Sequence, residues 1–182
     1  MPRPTGVLHR AADGVDLVLT RTLPVAVPEV WAGLTDPGRT ADWFGPWEGE
    51  PGAGRTVRVQ MAHEEGQPWG DLHIEACTPP RRLAVSMVDE YGTWRLELLL
   101  AARDGGTTLE LVQHLADAGG VGDIGPGWEF YLDLFVAALI GGPRPDFADY
   151  HPAMAPYFAA LTPAAPRPAA AAAPEDGGDP TG

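Results

Sequence analysis

Residues 124–140, IGPGWEFYLDLFVAALI, form the longest stretch of the chain in which apolar residues recur at helical spacing. The residues that share the first face of this helix are Ile124, Trp128, Tyr131, Leu132, Phe135 and Leu139. The other side is apolar too, through Phe130, Leu134 and Ala138, and only Glu129 and Asp133 are charged. Because both apolar sides must be covered, we expect the helix to pack on a sheet and also to line a cavity, contact the following segment or form a dimer contact.

The sheet is predicted from five segments upstream of this helix, each with the alternating apolar pattern and the length of a β-strand. They span residues 55–61, 69–77, 82–89, 93–101 and 107–115. The short connections between them, such as RDGG at 103–106, are typical of hairpins. Residues 16–23 add a first strand that Pro24 ends. The sequence therefore predicts six strands in a mostly consecutive antiparallel sheet.

Two short helices are predicted between the first strand and the rest of the sheet. Pro28 opens the first helix, and the Asp-Pro pair at 36–37 ends it. The second helix spans about residues 38–44 and stops before Gly45-Pro46. Together with the long helix, these elements predict an α+β fold.

A single domain is expected over residues 15–161, with flanking segments of different composition. Residues 1–14 are polar and contain proline, which predicts a loose N-terminal arm. Residues 143–161 carry aromatic side chains among prolines and are expected to pack back on the domain. Residues 162–182 are mostly alanine, proline and glycine, which predicts a disordered tail.

The charge of the chain bears on its partners. The net charge is -13, and all 12 basic residues are arginines. Such a surface repels phosphate backbones and anionic lipid headgroups, so neither nucleic acid nor a membrane is expected as a partner. No run of residues approaches the roughly 20 apolar positions that a membrane span needs, and the first ten residues carry no signal-peptide pattern. We therefore expect a cytoplasmic protein.

The order of the elements resembles that of the START-like superfamily, also called the polyketide cyclase and lipid-transport superfamily. Residues 21–46, RTLPVAVPEVWAGLTDPGRTADWFGP, are similar to the opening of domains related to activators of the heat-shock protein 90 ATPase. The similarity rests on Arg21, on residues 28–31 (Pro-Glu-Val-Trp) and on the pair Trp43-Phe44. It spans residues 16–142. The resemblance implies a helix-grip fold, in which a curved antiparallel sheet wraps around the long C-terminal helix and leaves a cavity between them.

Aromatic residues are the main candidates for ligand binding, since six tryptophans are more than a core of this size usually holds. Trp43, Phe44 and Trp47 lie where the chain passes from helix to sheet, which is the rim of the cavity in the resembled fold. They either contact a ligand or plug the open end of the sheet. Trp69 and Trp94 each begin a strand, and they either wall the cavity or cover the sheet edge.

Four residues of the long helix complete the candidate site. Trp128, Tyr131, Leu132 and Phe135 face the sheet, so they belong to the core in any case. They bind a ligand only where a void separates them from the strands.

Three histidines, His63, His73 and His114, are possible metal ligands, and His114 is also a polar candidate for the site. On the last strand, Leu109 and Leu111 share one face and His114 lies on the other. If that other face is concave, His114 can hydrogen-bond a ligand or act as an acid or base. If it is convex, His114 faces solvent.

No metal or cofactor is expected. A zinc or iron site needs three or more converging ligands, and the spacing of the histidines does not indicate one. Residues 119–127, GGVGDIGPG, lack the preceding strand that a dinucleotide fingerprint requires. They are interpreted as a flexible connection to the long helix.

The sequence thus favours a small domain that binds an apolar or aromatic small molecule between sheet and helix, and that is not an enzyme. The first alternative is a stress-response protein that regulates a chaperone ATPase or binds a second copy of itself. The well-studied chaperone activators carry a separate N-terminal domain, for which the residues before Asp16 leave no room. The second alternative is a cyclase-like or hydrolytic enzyme that uses a cavity histidine.

Overall fold

The structure, a computed structural model, describes residues 2–89 and 92–167. Its strands are β1 Val7–Ala11, β2 Gly14–Leu23, β3 Trp47–Glu48, β4 Thr56–Gln60, β5 Trp69–Thr78, β6 Arg82–Asp89, β7 Gly92–Arg103 and β8 Gly106–Leu115. Its helices are α1 Val27–Thr35, α2 Pro37–Thr40, α3 Val121–Ile140 and α4 Ala155–Ala159, with a 3-10 turn at Phe147–Asp149. All strands join one antiparallel sheet in the order β1-β2-β8-β7-β6-β5-β4-β3. The predicted α+β helix-grip fold is confirmed.

One face of the curved sheet, here called the concave face, is turned toward α3. Leu17 and Leu19 of β2 and Leu109 of β8 are fully buried in the cluster that contains the α3 residues. Because side chains alternate along a strand, the cross-strand register assigns the other residues to a face. Leu98 of β7 pairs with Leu111 of β8, so the even-numbered residues of β7 belong to the concave face.

The buried apolar residues fall into two clusters. The larger cluster contains α3, α4 and the concave residues of β2 and β8. The smaller cluster is formed by Val57, Ile74 and Val85 on β4, β5 and β6. Leu96 of β7 is a partly buried residue that packs against both clusters. Most of the buried apolar residues therefore lie under β2 and β8, and fewer lie toward β4.

The second apolar side of α3 is covered by the C-terminal segment. Tyr150, Met154 and Phe158 are buried in the same cluster as the helix. Phe158 lies so close to Gly6 and Gly125 that a Cβ atom on either glycine would fall within 2.4 Å of its ring. Glycine at these two positions therefore makes the close packing of α4 on α3 possible.

The two carboxylates of the third and fourth turns of α3, Glu129 and Asp133, face β2. Arg21 donates to Glu129 Oε2 at 2.7 Å and to Asp133 Oδ1 at 2.8 Å. Glu129 also accepts hydrogen bonds from the Thr5 and Gly6 backbone amides. Its side chain is only 1% exposed, so its charge depends on these donors.

Several boundaries differ from the sequence predictions. Residues 7–11, expected in a loose arm, form β1 because Leu8 packs in the core and the chain turns back to pair with β2. Together with β1, the two-residue strand β3 raises the count from six to eight in the described residues. The connection predicted to be flexible is largely helical, since α3 begins at Val121.

The expected disordered tail is described only in part. Ala164 forms a parallel β-bridge with His9, and Arg167 pairs with Glu110 at 2.6 Å. Residues 168–182 lie outside the described part of the chain. Within that part, no helix combines the length and the apolar character that a membrane crossing needs.

Candidate functional site

The helix α3 covers the middle of the concave face incompletely, although the strands there lie at the centre of the sheet. Leu109 and Leu111 of β8 are 0% and 3% exposed under α3. On the neighbouring strand β7, Leu96 and Leu98 face the same way and yet stay half-buried. A residue on a central strand that points inward is normally buried on all sides. Leu96 and Leu98 are therefore less completely covered by α3 than Leu109 and Leu111 are.

Other half-buried apolar residues occur on the same face of β6 and β5. Leu83 pairs with Leu98, and Cys77 pairs with Leu83, so all three share the concave face. A register shift between Ile74 and Ala76 brings Cys77 back to that face. Leu72, Cys77 and Leu83 are all half-buried. We call Leu72, Cys77, Leu83, Leu96 and Leu98 the concave surface.

Aromatic side chains border this surface from the helical side. Trp128 of α3 and Phe44, which follows α2, are half-buried. The Tyr131 ring lies 5.9 Å from Trp128 and 5.2 Å from Phe44, measured between ring centroids. These tilted contacts are typical of stable aromatic packing. They form one wall of aromatic rings on the side of the sheet that α3 covers.

Two hydrogen bonds place polar groups at this wall. The Trp128 indole donates to Gln113 Oε1 at 2.6 Å, and the Tyr131 hydroxyl donates to Glu64 Oε1 at 2.7 Å. Burial, together with the bond to Glu64, raises the pKa of Tyr131 above its ordinary value of 10.0. Tyr131 therefore stays a donor at neutral pH and ties the β4–β5 connection, residues 61–68, to α3.

His63 lies in the same connection. Its ring is 5.9 Å from Tyr131, and Arg144 approaches its Nε2 at 3.3 Å. Burial and the Arg144 charge lower the pKa of His63 below 6.5. The residue is thus held mainly neutral at pH 7 and packs as an aromatic side chain.

The surface of the domain has two open pockets that α3 does not line. One of about 490 Å³ lies between the start of α1 and the β5–β6 and β7–β8 turns. Another of about 320 Å³ lies over Glu75, Arg82, Arg95, Glu97 and His114. The candidate site under the long helix is thus a half-buried apolar surface, and of its five sheet residues only Leu96 also lines one of these two pockets.

The face of His114, which the sequence left undecided, is the outer face of the sheet. The register pairs His114 with Asp16 and Arg95, on the side opposite Leu109 and Leu111. Its Nδ1 lies 2.7 Å from Asp16 Oδ1, and its Nε2 lies 3.1 Å from Glu97 Oε1. The expectation that His114 contacts a ligand on the concave side is therefore wrong, because both ring nitrogens contact carboxylates on the outer face.

The remaining predicted residues divide between core, site and outer face. Trp43 is 7% exposed, donates to the Gly33 carbonyl oxygen at 3.1 Å and packs edge-on against Phe135, so it is a core residue. Leu132 and Phe135 are each 1% exposed and have no free face for a ligand. Trp69 is 40% exposed on the outer face, where the Arg58 guanidinium lies 5.4 Å from its ring.

Two of the predicted tryptophans lie on the inner side of the sheet. Trp94 pairs with Met87 and shares the face of Leu96. Trp47 packs with the smaller core cluster, and its indole donates to the Thr35 carbonyl oxygen at 3.2 Å. The structure thus brings Phe44, Trp128 and Tyr131 together and places Trp47 and Trp94 at the ends of the concave surface.

Residues of the concave surface and Gln113 were not among the predicted candidates. The sequence contained one signal for Gln113. In the last strand it follows Leu109 and Leu111 at a spacing of two, so it is a polar residue on an apolar face. No signal distinguished Leu96 and Leu98 from buried leucines, because partial exposure depends on how far α3 reaches across the sheet.

The histidines do not form a metal centre. His73 lies on the outer face beside Thr56, while His63 packs against α3. Among residues 2–89 and 92–167, no group of three or more His, Cys, Asp or Glu side chains is placed to hold a metal ion.

Residues 24–139, more than half of the chain, match the family described as activator of Hsp90 ATPase homolog 1-like protein. No curated protein matches the chain. The residues that carried the resemblance in the sequence lie mostly inside the matched range.

Among solved structures, the chain is similar to CalU16 from Micromonospora echinospora, with 26% identity and a TM-score of 0.70 over 87% of this chain and 96% of CalU16. DynU16, a protein of the dynemicin biosynthetic locus, is 22% identical, with a TM-score of 0.62 over 75% of this chain and 51% of DynU16. A Bordetella parapertussis protein is 21% identical, with a TM-score of 0.67 over 90% of this chain and 97% of that protein. The chain therefore belongs to the activator of Hsp90 ATPase homolog 1-like family within the START-like superfamily.

Proposed function

We propose that this domain binds an apolar or aromatic small molecule on the concave surface, between the leucines of the sheet and the rings of Trp128 and Phe44. The observation that carries the proposal is the half-burial of Leu96 and Leu98 on a central strand that faces α3. Membership of a family with a helix-grip fold supports it, because that fold suggests small-molecule binding.

The chemistry of the surface supports an uncharged ligand. The five residues of the concave surface carry no charged or hydroxyl group. Covering such area contributes roughly 25 cal/mol per Å² of apolar surface removed from water. A flat aromatic ligand also gains ring contacts with Trp128 and Phe44. Shape and apolar area therefore account for binding better than ion pairing does.

The proposal is tested by titrating the protein with the fluorescent naphthyl ketone Prodan. A Leu98→Trp variant places a large ring on the concave surface, whereas Leu99→Trp adds the same ring to the outer face of the same strand. We expect saturable binding to the wild type, a loss of at least about tenfold in affinity for Leu98→Trp, and little change for Leu99→Trp. Equal affinities of the two variants would contradict the proposed site.

The natural ligand is identified by native mass spectrometry of protein purified from its own cells. An adduct that is present in the wild type and absent from Leu98→Trp supports the site. An adduct retained by Leu98→Trp assigns the ligand to another surface.

Activation of a chaperone ATPase, the alternative that the family description suggests, has its own test. The wild type and Leu98→Trp are added to the chaperone at saturating concentration, and ATP hydrolysis is measured. If both stimulate equally, the activity belongs to a surface other than the concave one. If neither does, small-molecule binding stands without it.

A further inference from the structure

Gln113 is a polar side chain in the interior of the sheet. It lies on β8 between Leu96 of β7 and Leu17 of β2, and it points toward α3. The residue is 2% exposed. Its carboxamide can make up to four hydrogen bonds, two through the oxygen and two through the nitrogen. Leaving such a group without partners in an apolar interior is unfavourable.

The orientation of the carboxamide is fixed by Trp128. An indole N–H only donates, so it must face the oxygen of the amide and not the nitrogen. The Trp128 Nε1 to Gln113 Oε1 distance of 2.6 Å fits this arrangement. The Gln113 NH₂ group is thereby directed away from the Trp128 nitrogen.

The NH₂ group borders accessible space. The bond to Trp128 is the one hydrogen bond of the Gln113 side chain within residues 2–89 and 92–167. In the same residues, no side-chain nitrogen or oxygen that is closed off from solvent lacks a partner. The Gln113 nitrogen has no partner, so it is not closed off, although the residue as a whole is 98% buried. Its strand neighbour Leu96 and its bonding partner Trp128 are both half-buried.

We propose that the Gln113 NH₂ group donates a hydrogen bond to a carbonyl oxygen of the ligand, with Trp128 as the positioning residue that holds the amide in this orientation. The inference rests on the proposed function and names the ligand class: a neutral, largely aromatic molecule with a ketone, quinone or amide carbonyl. A carboxylate fits less well, because the concave surface supplies no cation.

The test compares two probes that differ only in the acceptor. Prodan carries a ketone, and 2-dimethylamino-6-propylnaphthalene has a methylene group in place of that carbonyl. A neutral hydrogen bond corresponds to about a fivefold preference for the ketone. In the wild type we expect that preference, together with the red-shifted Prodan emission that a donor to its carbonyl produces. In Gln113→Met, which keeps the length of the side chain, the preference falls to about one and the emission shifts to the blue.

A second variant tests the inference even if Gln113→Met does not fold. Trp128→Phe removes the indole donor, so the amide is free to turn its oxygen toward the ligand, and the preference for the ketone falls by about half. An unchanged preference in Gln113→Met, or in Trp128→Phe if Gln113→Met does not fold, would overturn the inference.

The outcomes separate the two claims. If the wild type binds both probes with equal affinity, the role of Gln113 is wrong and the proposed function stands. If the wild type binds neither probe, the proposed function fails and the inference fails with it.

Discussion

Arg21 connects β2 to two successive acidic positions of α3. Replacing it with methionine leaves the carboxylate of Glu129 buried with only the donors of Thr5 and Gly6. Breaking a buried pair in this way costs about 3–5 kcal/mol of the free energy of unfolding. Arg39→Met, which breaks an exposed pair with Glu29, should cost less than about 1 kcal/mol. Urea unfolding of both variants checks this prediction, and equal losses would contradict it.

Glu97 on the outer face makes the free energy of unfolding depend on pH. Burial alone would raise its pKa, but the hydrogen bonds and charges of Arg82 and His114 outweigh it, so the pKa of Glu97 lies below its ordinary value of 4.5. A carboxyl whose pKa is lowered by folding stabilises the protein above pH 4.5 and loses this contribution as the pH falls through the folded-state value.

Glu97→Gln should therefore lower the free energy of unfolding by about 1 kcal/mol at neutral pH, and the difference from the wild type should shrink as the pH falls below 4.5. Urea unfolding across a pH series measures the difference. Glu48→Gln is the control, because its pair with Arg58 is exposed and contributes little. If the difference in unfolding free energy between the wild type and Glu97→Gln stays constant below pH 4.5, the variant has lost packing and not a charge interaction.

At the scale of elements, α4 is held on α3 mainly by Phe158. This ring is fully buried and lies against Gly6 and Gly125. Phe158→Ala should cost about 3–5 kcal/mol, because it leaves a cavity between the two helices. Phe147→Ala removes an exposed ring of the same segment and should cost about 1 kcal/mol or less. Thermal unfolding compares the two variants, and similar losses would mean that α4 is not packed as described.

The β4–β5 connection, residues 61–68, should loosen when its bond to α3 is removed. Tyr131→Phe deletes the hydroxyl that donates to Glu64 and keeps the ring contacts with Phe44 and Trp128. Hydrogen exchange of the amides at Met61–Gln67 should become several-fold faster, since the local opening free energy falls by about 1 kcal/mol. Amides in the middle of α3 should not change. Equal acceleration in α3 would point to a general loss of stability instead.

At the scale of the whole molecule, the alternation of apolar residues was sufficient to predict β4 to β8, because the inward positions of each strand are mostly apolar. Strand β1 was not predicted, because Leu8 is its one buried residue and the strand shows no apolar alternation. Alternation also showed that His114 and Leu111 lie on opposite faces, but it did not show which face α3 covers. That choice depends on the register between β2 and β8, which sets Asp16 opposite His114.

The candidate site was predictable only on its helical side. Tyr131 and Trp128 follow from the helical period of residues 124–140. The sheet side depends on how much of a curved surface one helix can cover, and no pattern in β7 encodes that. Leu96 and Leu98 therefore have the same signature in the sequence as the fully buried Leu109.

The central claim, that the concave surface is a ligand site, is tested most directly by the methyl resonances of β7 in a sample labelled with ¹³C at leucine methyl groups. Leu96 and Leu98 face the concave side, and Leu99 on the same strand faces outward. On addition of Prodan, we predict saturable shifts of the Leu96 and Leu98 methyl signals and none of Leu99. Shifts confined to Leu99, or no shift at any of the three, would contradict the proposed site.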